Sequence, residues 1–318
     1  MVVSRMIYFI MKRIVSLIPV LFIISIIVFL IIYLIPGDPA QVILGDNASP
    51  ELIAQLKQSL GLNEPLLKQY GIWIMNVTKG DLGQSYFLNQ PVLQAVIEHL
   101  EPTLSLAILA ELLAMGIAVP LGIRAAANPN RMADKFLTGF SLFGIAVPGF
   151  LLSLILVLIF SVGLGILPVS GYVPISEGLF THVYYLILPA ISLGVVQASL
   201  IARITRTTML DVLNEPFIKT AVAKGLPKFE ILYKHVLRNA FIPILTVIGS
   251  SFGTLLAGAA VIETIFNIPG LGQMIVNAVT RRDYPTIQGI ILFIAFTYVV
   301  LNLLIDILYA KIDPRVRV

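Results

Sequence analysis

Long apolar runs alternate with short polar stretches along this chain, and the alternation predicts helices that cross a membrane. A helix needs about 20 consecutive apolar residues to span hydrocarbon. Six segments meet that length, at roughly 12–35, 103–123, 136–161, 186–205, 240–262 and 285–309. The uncharged stretch continues from Phe136 to Ser176, but Gly163, Gly165, Pro168, Gly171 and Pro174 break its second half. One helix over 136–161 followed by an external loop is therefore expected, with a re-entrant element over 162–185 as the other reading. The pattern as a whole predicts an all-α integral membrane fold. It has six transmembrane helices, a helical external segment and a cytoplasmic loop of short helices.

The chain divides accordingly into residues 1–36 (N-terminus and first span), 37–101 (external segment), 102–309 (transmembrane domain) and 310–318 (tail). In the external segment, Ser49 is placed to cap a helix with Pro50 at its first position and Glu51 near its positive end. Leu52, Ile53, Leu56 and Leu60 form its apolar stripe, and Gly61 ends it. A second amphipathic stretch, Pro65 to Thr78, puts Leu66, Tyr70, Trp73 and Val77 on one face before Gly80 stops it. Arg5, Lys12 and Arg13 precede the first apolar run, which is too long for the core of a secretion signal, so a retained first helix is expected.

The loop at about 206–240 carries the most information. Pro216 favours a helix start, and Phe217, Thr220, Ala221 and Lys224 keep helical spacing as far as Gly225. Gly225-Leu226-Pro227 then reads as a stop and a restart, with a second short helix over about 227–237. Ala221, Ala223 and Gly225 leave this elbow without bulk, so a partner backbone can come close. Phe217, Leu226 and Phe229 suit anchoring in a groove. A loop packed on its own subunit is the other reading.

Composition agrees with the hydropathy pattern. Apolar residues make up 58% and charged residues 12%, with a mean hydropathy of +0.96, against about 25% charged in a soluble domain. Nucleic acid is not the expected partner of the net charge of +4, because the basic residues gather between the apolar runs. Of the 21 Lys and Arg residues, 16 fall in the segments that are cytoplasmic if the N-terminus is, and 5 in the others. That bias predicts both termini in the cytoplasm. With no cysteine and three dispersed histidines (His99, His182, His235), no metal site is expected. H-E-x-x-H and the G-x-x-x-x-G-K-[ST] phosphate loop are absent, and Gly249-Ser250-Ser251-Phe252-Gly253, which spells G-x-S-x-G, lies inside an apolar span rather than on a strand-to-helix turn. An intramembrane enzyme and a self-contained ATPase are both disfavoured, and so is a stand-alone secondary transporter, which would carry charges on several spans or inverted repeats.

A few polar groups lie inside the spans. Glu111 sits near the middle of the second, where an ionised carboxylate costs about 2.5–3.5 kcal/mol. It either lines a path for solute or stays protonated and bonded to a neighbouring helix. Gly249, Gly253, Ala257 and Gly258 on the fifth span suit close packing, whereas Ser250, Ser251 and Thr254 suit a pore. Glu263, at the outer end of that span, is a candidate external gate. Pro120, Pro148 and Pro189 are expected to bend their helices.

The run Glu215-Pro216-Phe217-Ile218-Lys219-Thr220-Ala221-Val222-Ala223-Lys224-Gly225, followed by His235, Arg238-Asn239-Ala240 and Pro243, resembles the coupling loop of ABC importer permeases of the dipeptide/oligopeptide class. Further pieces resemble the same family in order and spacing. They include Pro36-Gly37-Asp38-Pro39, Gly80-Asp81-Leu82-Gly83, Ala202-Arg203-Ile204-Thr205-Arg206, Pro269-Gly270-Leu271-Gly272, Arg282-Asp283-Tyr284-Pro285 and Asp313-Pro314-Arg315. The large external segment resembles the first of the two paired permeases. The resemblance implies a second permease subunit, two cytoplasmic ATPase subunits that carry the ATP and magnesium, and an external substrate-binding protein. It implies no cofactor on this chain. Glu215, Phe217, Ala221, Ala223, Gly225, Leu226 and Phe229 would then face the ATPase.

Overall fold

The computed structural model describes residues 2–34, 39–44, 48–59 and 61–312. The stretch Pro36-Gly37-Asp38, the stripe residue Leu60 and the ending Asp313-Pro314-Arg315 lie outside the described residues. In chain order the α-helices are α1 (Val2–Leu34), α2 (Pro39–Leu44), α3 (Pro50–Ser59), α4 (Leu66–Thr78), α5 (Val92–Glu98), α6 (Leu100–Ala127) and α7 (Met132–Ala146). They continue with α8 (Gly149–Leu156), α9 (Leu179–Leu213), α10 (Pro216–Ala223), α11 (Lys228–Glu230), α12 (Leu237–Phe266), α13 (Leu271–Arg281) and α14 (Tyr284–Ile312). No strand occurs among the described residues. The helices gather into two compact units, residues 1–100 with 274–318, and residues 101–273.

In the first unit α1 packs along α14, with Arg13 and Asp306 paired at 3.0 Å. The amphipathic face expected on Pro65–Thr78 meets α1. Tyr70 and Trp73 lie against Phe29, and Ser25 and Tyr70 share a hydrogen bond of 2.8 Å. The capping expected at Ser49 is made, since its Oγ accepts the amide of Leu52 at 3.3 Å. Asp283, at the entry to α14, fastens the segment before α5. Its carboxylate accepts the Ser85 hydroxyl at 2.5 Å, the Thr286 hydroxyl at 2.9 Å and the Tyr86 amide at 3.3 Å. Burial, and then this neighbouring carboxylate, pushes the Tyr86 phenol up to about 12, so its hydroxyl stays neutral.

The second unit is built around α9, which packs on α12, α7 and α8. Its length of about 52 Å exceeds the hydrocarbon thickness, so its ends extend into water. Small residues bring the helices together. Ala114, Ala118 and Ala125 of α6 share a core with Ala198, Ile201 and Ala202 of α9. A carbon added at Gly194 would lie 2.8 Å from the carbonyl oxygen of Ala110. This approach needs glycine. Asp134 at the start of α7 is ion-paired with Arg206 of α9 and accepts the Asn130 amide at 2.8 Å.

Two expectations are corrected. The helix anticipated over 136–161 is two helices, α7 and α8, the second carried on to Gly163 by a π-turn, with a bend of 102° between them. The cause is Pro148, which lacks an amide hydrogen and pushes the residue before it out of the helical region. Val147 is accordingly extended, at φ −90° and ψ 117°. The described residues hold five helices long and apolar enough to cross a membrane, and the bent pair makes a sixth if it counts as one span. The second correction concerns the short helix expected over 227–237. It is no separate element, because α11 continues through a π-turn (Ile231–Val236) directly into α12. Pro120 and Pro189, by contrast, lie inside α6 and α9.

Candidate coupling elbow and translocation-path residues

The elbow between α9 and α12 folds as its sequence suggests. Pro216 opens α10, whose fixed φ suits a first helical turn. Gly225 then takes φ +76°, a left-handed value at which a side chain would be strained. Nothing lies within 4 Å of where that side chain would begin, so the position is open as well as bent. One face of the elbow is turned inward. Ile218 and Ala221 are buried with Ile231, Leu232 and Val236 and with Ile123 and Ala126 of α6, and Leu226 packs against the same cluster. The other face is apolar and uncovered within this chain. Phe217 is 43% exposed and Phe229 is 70% exposed, and Glu215 and Ala223 are exposed as well. The reading of a loop packed on its own subunit therefore holds for the inner face, to which Ala221 and Leu226 belong, and the outer face is left without cover among the described residues.

Lys228, which the sequence reading passed over, ties this elbow to α6. Its ammonium donates to the Ala127 carbonyl at 2.8 Å and to Asn128 Oδ1 at 3.2 Å. Ala127 ends α6, so the cation sits on the last unsatisfied carbonyls and the negative end of the helix dipole. No pattern in the sequence pairs residues that lie a hundred positions apart.

In the middle of the unit, Glu111 is 5% exposed and accepts the Ser251 hydroxyl on Oε1 at 2.7 Å. Its Oε2 is buried and has no hydrogen-bond partner among the described residues. Ser251 is buried too, whereas Ser250 and Thr254 are exposed on the adjoining face of α12. Thr254 donates to the Ser251 carbonyl at 2.7 Å and accepts the side-chain amide of Gln197, on α9, at 2.8 Å. The four path candidates thus stand around one point on α12, joined by a glutamine that the reading of span 186–205 did not single out. Its signal was present, as a lone amide side chain inside an apolar span.

Glu263 has a different setting. It is fully buried, its Oε1 accepts the Thr103 hydroxyl at 2.6 Å, and its Oε2 accepts the Gln273 amide at 2.8 Å. Thr103 Oγ1 in turn accepts the Leu271 amide at 2.8 Å. Two first-turn amides of α13, which no helix can satisfy internally, are bonded by this pair. The carboxylate lies where a side chain at Gly270 would go. The nearby 164–178 loop is held at Glu101, which accepts the Tyr172 hydroxyl at 3.0 Å and the Ile175 amide at 2.9 Å. Burial, and then the bond to Glu101, raises the pKa of the Tyr172 phenol, which stays a neutral donor.

Residues 118–318 match the family described as "Binding-protein-dependent transport system inner membrane component", and residues 6–107 match its N-terminal counterpart. Among the relatives, a probable peptide ABC transporter permease protein of Sinorhizobium fredii is 43% identical over 97% of this chain and 99% of its own. The dipeptide transport system permease protein DppB of Alkalihalophilus pseudofirmus is 42% identical over 98% of this chain and all of its own. The glutathione transport system permease protein GsiC of Escherichia coli is 41% identical over 98% and 99%. A buried helical bundle with an open apolar elbow, matched along its length by such proteins, is a membrane component rather than an enzyme. The chain belongs to the inner-membrane permeases of binding-protein-dependent ABC transport systems.

Proposed function

We propose that this permease forms half of a translocation path for di- or oligopeptides, with glutathione, itself a tripeptide, inside the same range. The names of its relatives support that range. Nickel and oligosaccharides are the outlying alternatives. The other half of the path is a second, homologous permease. Two ATPase subunits on the cytoplasmic side supply ATP and magnesium, and a binding protein delivers solute from outside. The excess of Lys and Arg in alternate loops supports cytoplasmic termini and a cytoplasmic elbow.

The observation that carries the coupling role is the two-sided elbow. Its inner face is welded to α6 and α12 through Ile218, Ala221 and Lys228, and its outer face offers Phe217, Ala223 and Phe229 beside the left-handed Gly225. An ATPase that grips the outer face moves both helices at once. ATP closes the ATPase pair, the closed pair favours one arrangement of the helices, and the cavity changes sides. Glu111, Ser250, Ser251 and Thr254 are the groups that solute passes, and the outer end of the path lies by Glu263.

The test is reconstitution in liposomes. The complete system should accumulate a labelled dipeptide only with ATP, and this chain alone should accumulate none. Phe229→Glu, at an exposed position, should leave the amount of folded chain unchanged while uptake falls at least tenfold. ATP-independent accumulation by the lone chain, or full uptake by Phe229→Glu, would refute the reading.

A further inference from the structure

The exposed faces of the long helices are not alike. Those of α7 and α8 carry Phe136, Leu142, Phe150 and Leu154, side chains suited to lipid. On α12 the exposed row at four-residue spacing is Thr246, Ser250, Thr254 and Gly258. Each of the three hydroxyls donates to a carbonyl of its own helix, at 3.0, 3.0 and 2.7 Å. Their remaining capacity is to accept. Gln197 reaches across from α9 to use it at Thr254 and is itself half-exposed. Its carbonyl oxygen bonds to no described residue. A primary amide near the middle of a 35-residue helix does not face lipid, where an unmet amide is costly. The carboxyl of Glu111, whose buried Oε2 meets no donor among the described residues, lies two hydrogen-bonded residues behind Gln197, through Thr254 and Ser251.

We propose that Gln197, braced by Thr254, contacts the backbone amides of a passing peptide and is a specificity-determining residue of the path. This rests on the peptide reading above. With one N–H given to Thr254, the side chain of Gln197 has one N–H and one carbonyl left, the same pair that every peptide group presents in reverse. It bears no charge, so it holds the solute weakly enough to let it go, as a conducting site must. It reads the peptide group and ignores the side chains on either side of it.

Two measurements test this. The first uses the complete transport system in vesicles, with labelled trialanine and its ester analogue, in which an oxygen replaces each peptide N–H, as probes. Gln197→Leu should lower the preference for trialanine over the ester about three- to tenfold, the value of one hydrogen bond, with ATP hydrolysis retained. Uptake of both with an unmoved ratio overturns the role of Gln197 alone. No uptake of trialanine by the unaltered system overturns the peptide reading and this contact with it. The second measurement does not depend on Gln197→Leu folding well. The chain has no cysteine, so Gln197→Cys and Thr254→Cys can be labelled singly with a trimethylammonium thiosulfonate and read by the mass of this chain. Both should react, and trialanine should protect them, whereas Leu154→Cys and Phe150→Cys stay inert. Silence at Gln197→Cys would mean a dry contact with the second permease and would overturn the proposal.

Discussion

Two carboxyl groups, Glu263 and Glu111, lie buried in the same unit, and their surroundings could hardly be less alike. Around Glu263 the chain has supplied a donor to each oxygen, removed a side chain at Gly270 and made the carboxylate the fixed point from which α13 starts. Around Glu111 it has supplied one hydroxyl, and among the described residues the second oxygen has no donor. A satisfied buried carboxylate rigidifies, while a half-satisfied one is expensive to keep. The difference teaches where to look for moving parts. A gate must change partners as solute passes, and Glu263 has the partners of a fastening. Glu111 has the vacant bonding capacity that a second state, or a solute, can use.

The largest effect that would break this contrast lies at Glu263. Glu263→Ala strands Thr103 and the Gln273 amide in a buried place, and each unmet group costs about 1–3 kcal/mol. Little folded chain should be recovered in detergent size-exclusion chromatography. Glu263→Gln keeps one acceptor but turns an N–H toward the Gln273 amide, so it too should lower the melting temperature. A melting temperature equal to that of the unaltered chain in both variants would remove the fastening role.

Next in size is Thr103→Val, which keeps the volume and takes away the hydroxyl. One acceptor of Glu263 and the Leu271 amide both lose a partner, and stability should fall by roughly 1–3 kcal/mol. Because α13 then starts with an unbonded amide, protease should cut first near residue 270. Cleavage elsewhere would place the weak point outside this knot.

Much of the fold was legible because hydropathy and punctuation are local properties. Span lengths come from apolar runs, Ser49 and Pro50 announce a helix start, and Gly225 before Leu226-Pro227 announces a bend. Pro148 predicts a bend yet makes a break, because the preceding Val147 cannot stay helical either. What a run of apolar residues does not contain is the identity of neighbours. Thr103 and Glu263 are 160 positions apart, and Lys228 and Ala127 are 101 apart. Nor does periodicity say which of Ser250 and Ser251 turns inward, since adjacent residues on a helix differ by about 100°. Glu263 was therefore assigned by its place at the end of a span, when its bonding partners describe it better.

The smallest change in stability, and the most telling change in activity, is expected from Glu111→Gln. The new side chain has nearly the same shape. Its carbonyl still accepts the Ser251 hydroxyl, and the second position, already unmet, exchanges one unbonded polar atom for another. Folding should change by less than about 1 kcal/mol, within the range of substitutions that break nothing. Transport should respond differently if the free oxygen of Glu111 takes up a donor in another state of the cycle. An amide nitrogen in its place repels that donor, and a lost hydrogen bond to a carboxylate is worth about 1.5–3 kcal/mol, or a tenfold or greater fall in uptake. The pairing of the two measurements decides the matter, since the same Glu→Gln exchange at 263 should lower melting and at 111 should lower uptake alone. Equal uptake by Glu111→Gln and the unaltered system would make Glu111 a second fastening, and the contrast between the two carboxyl groups would then be one of degree.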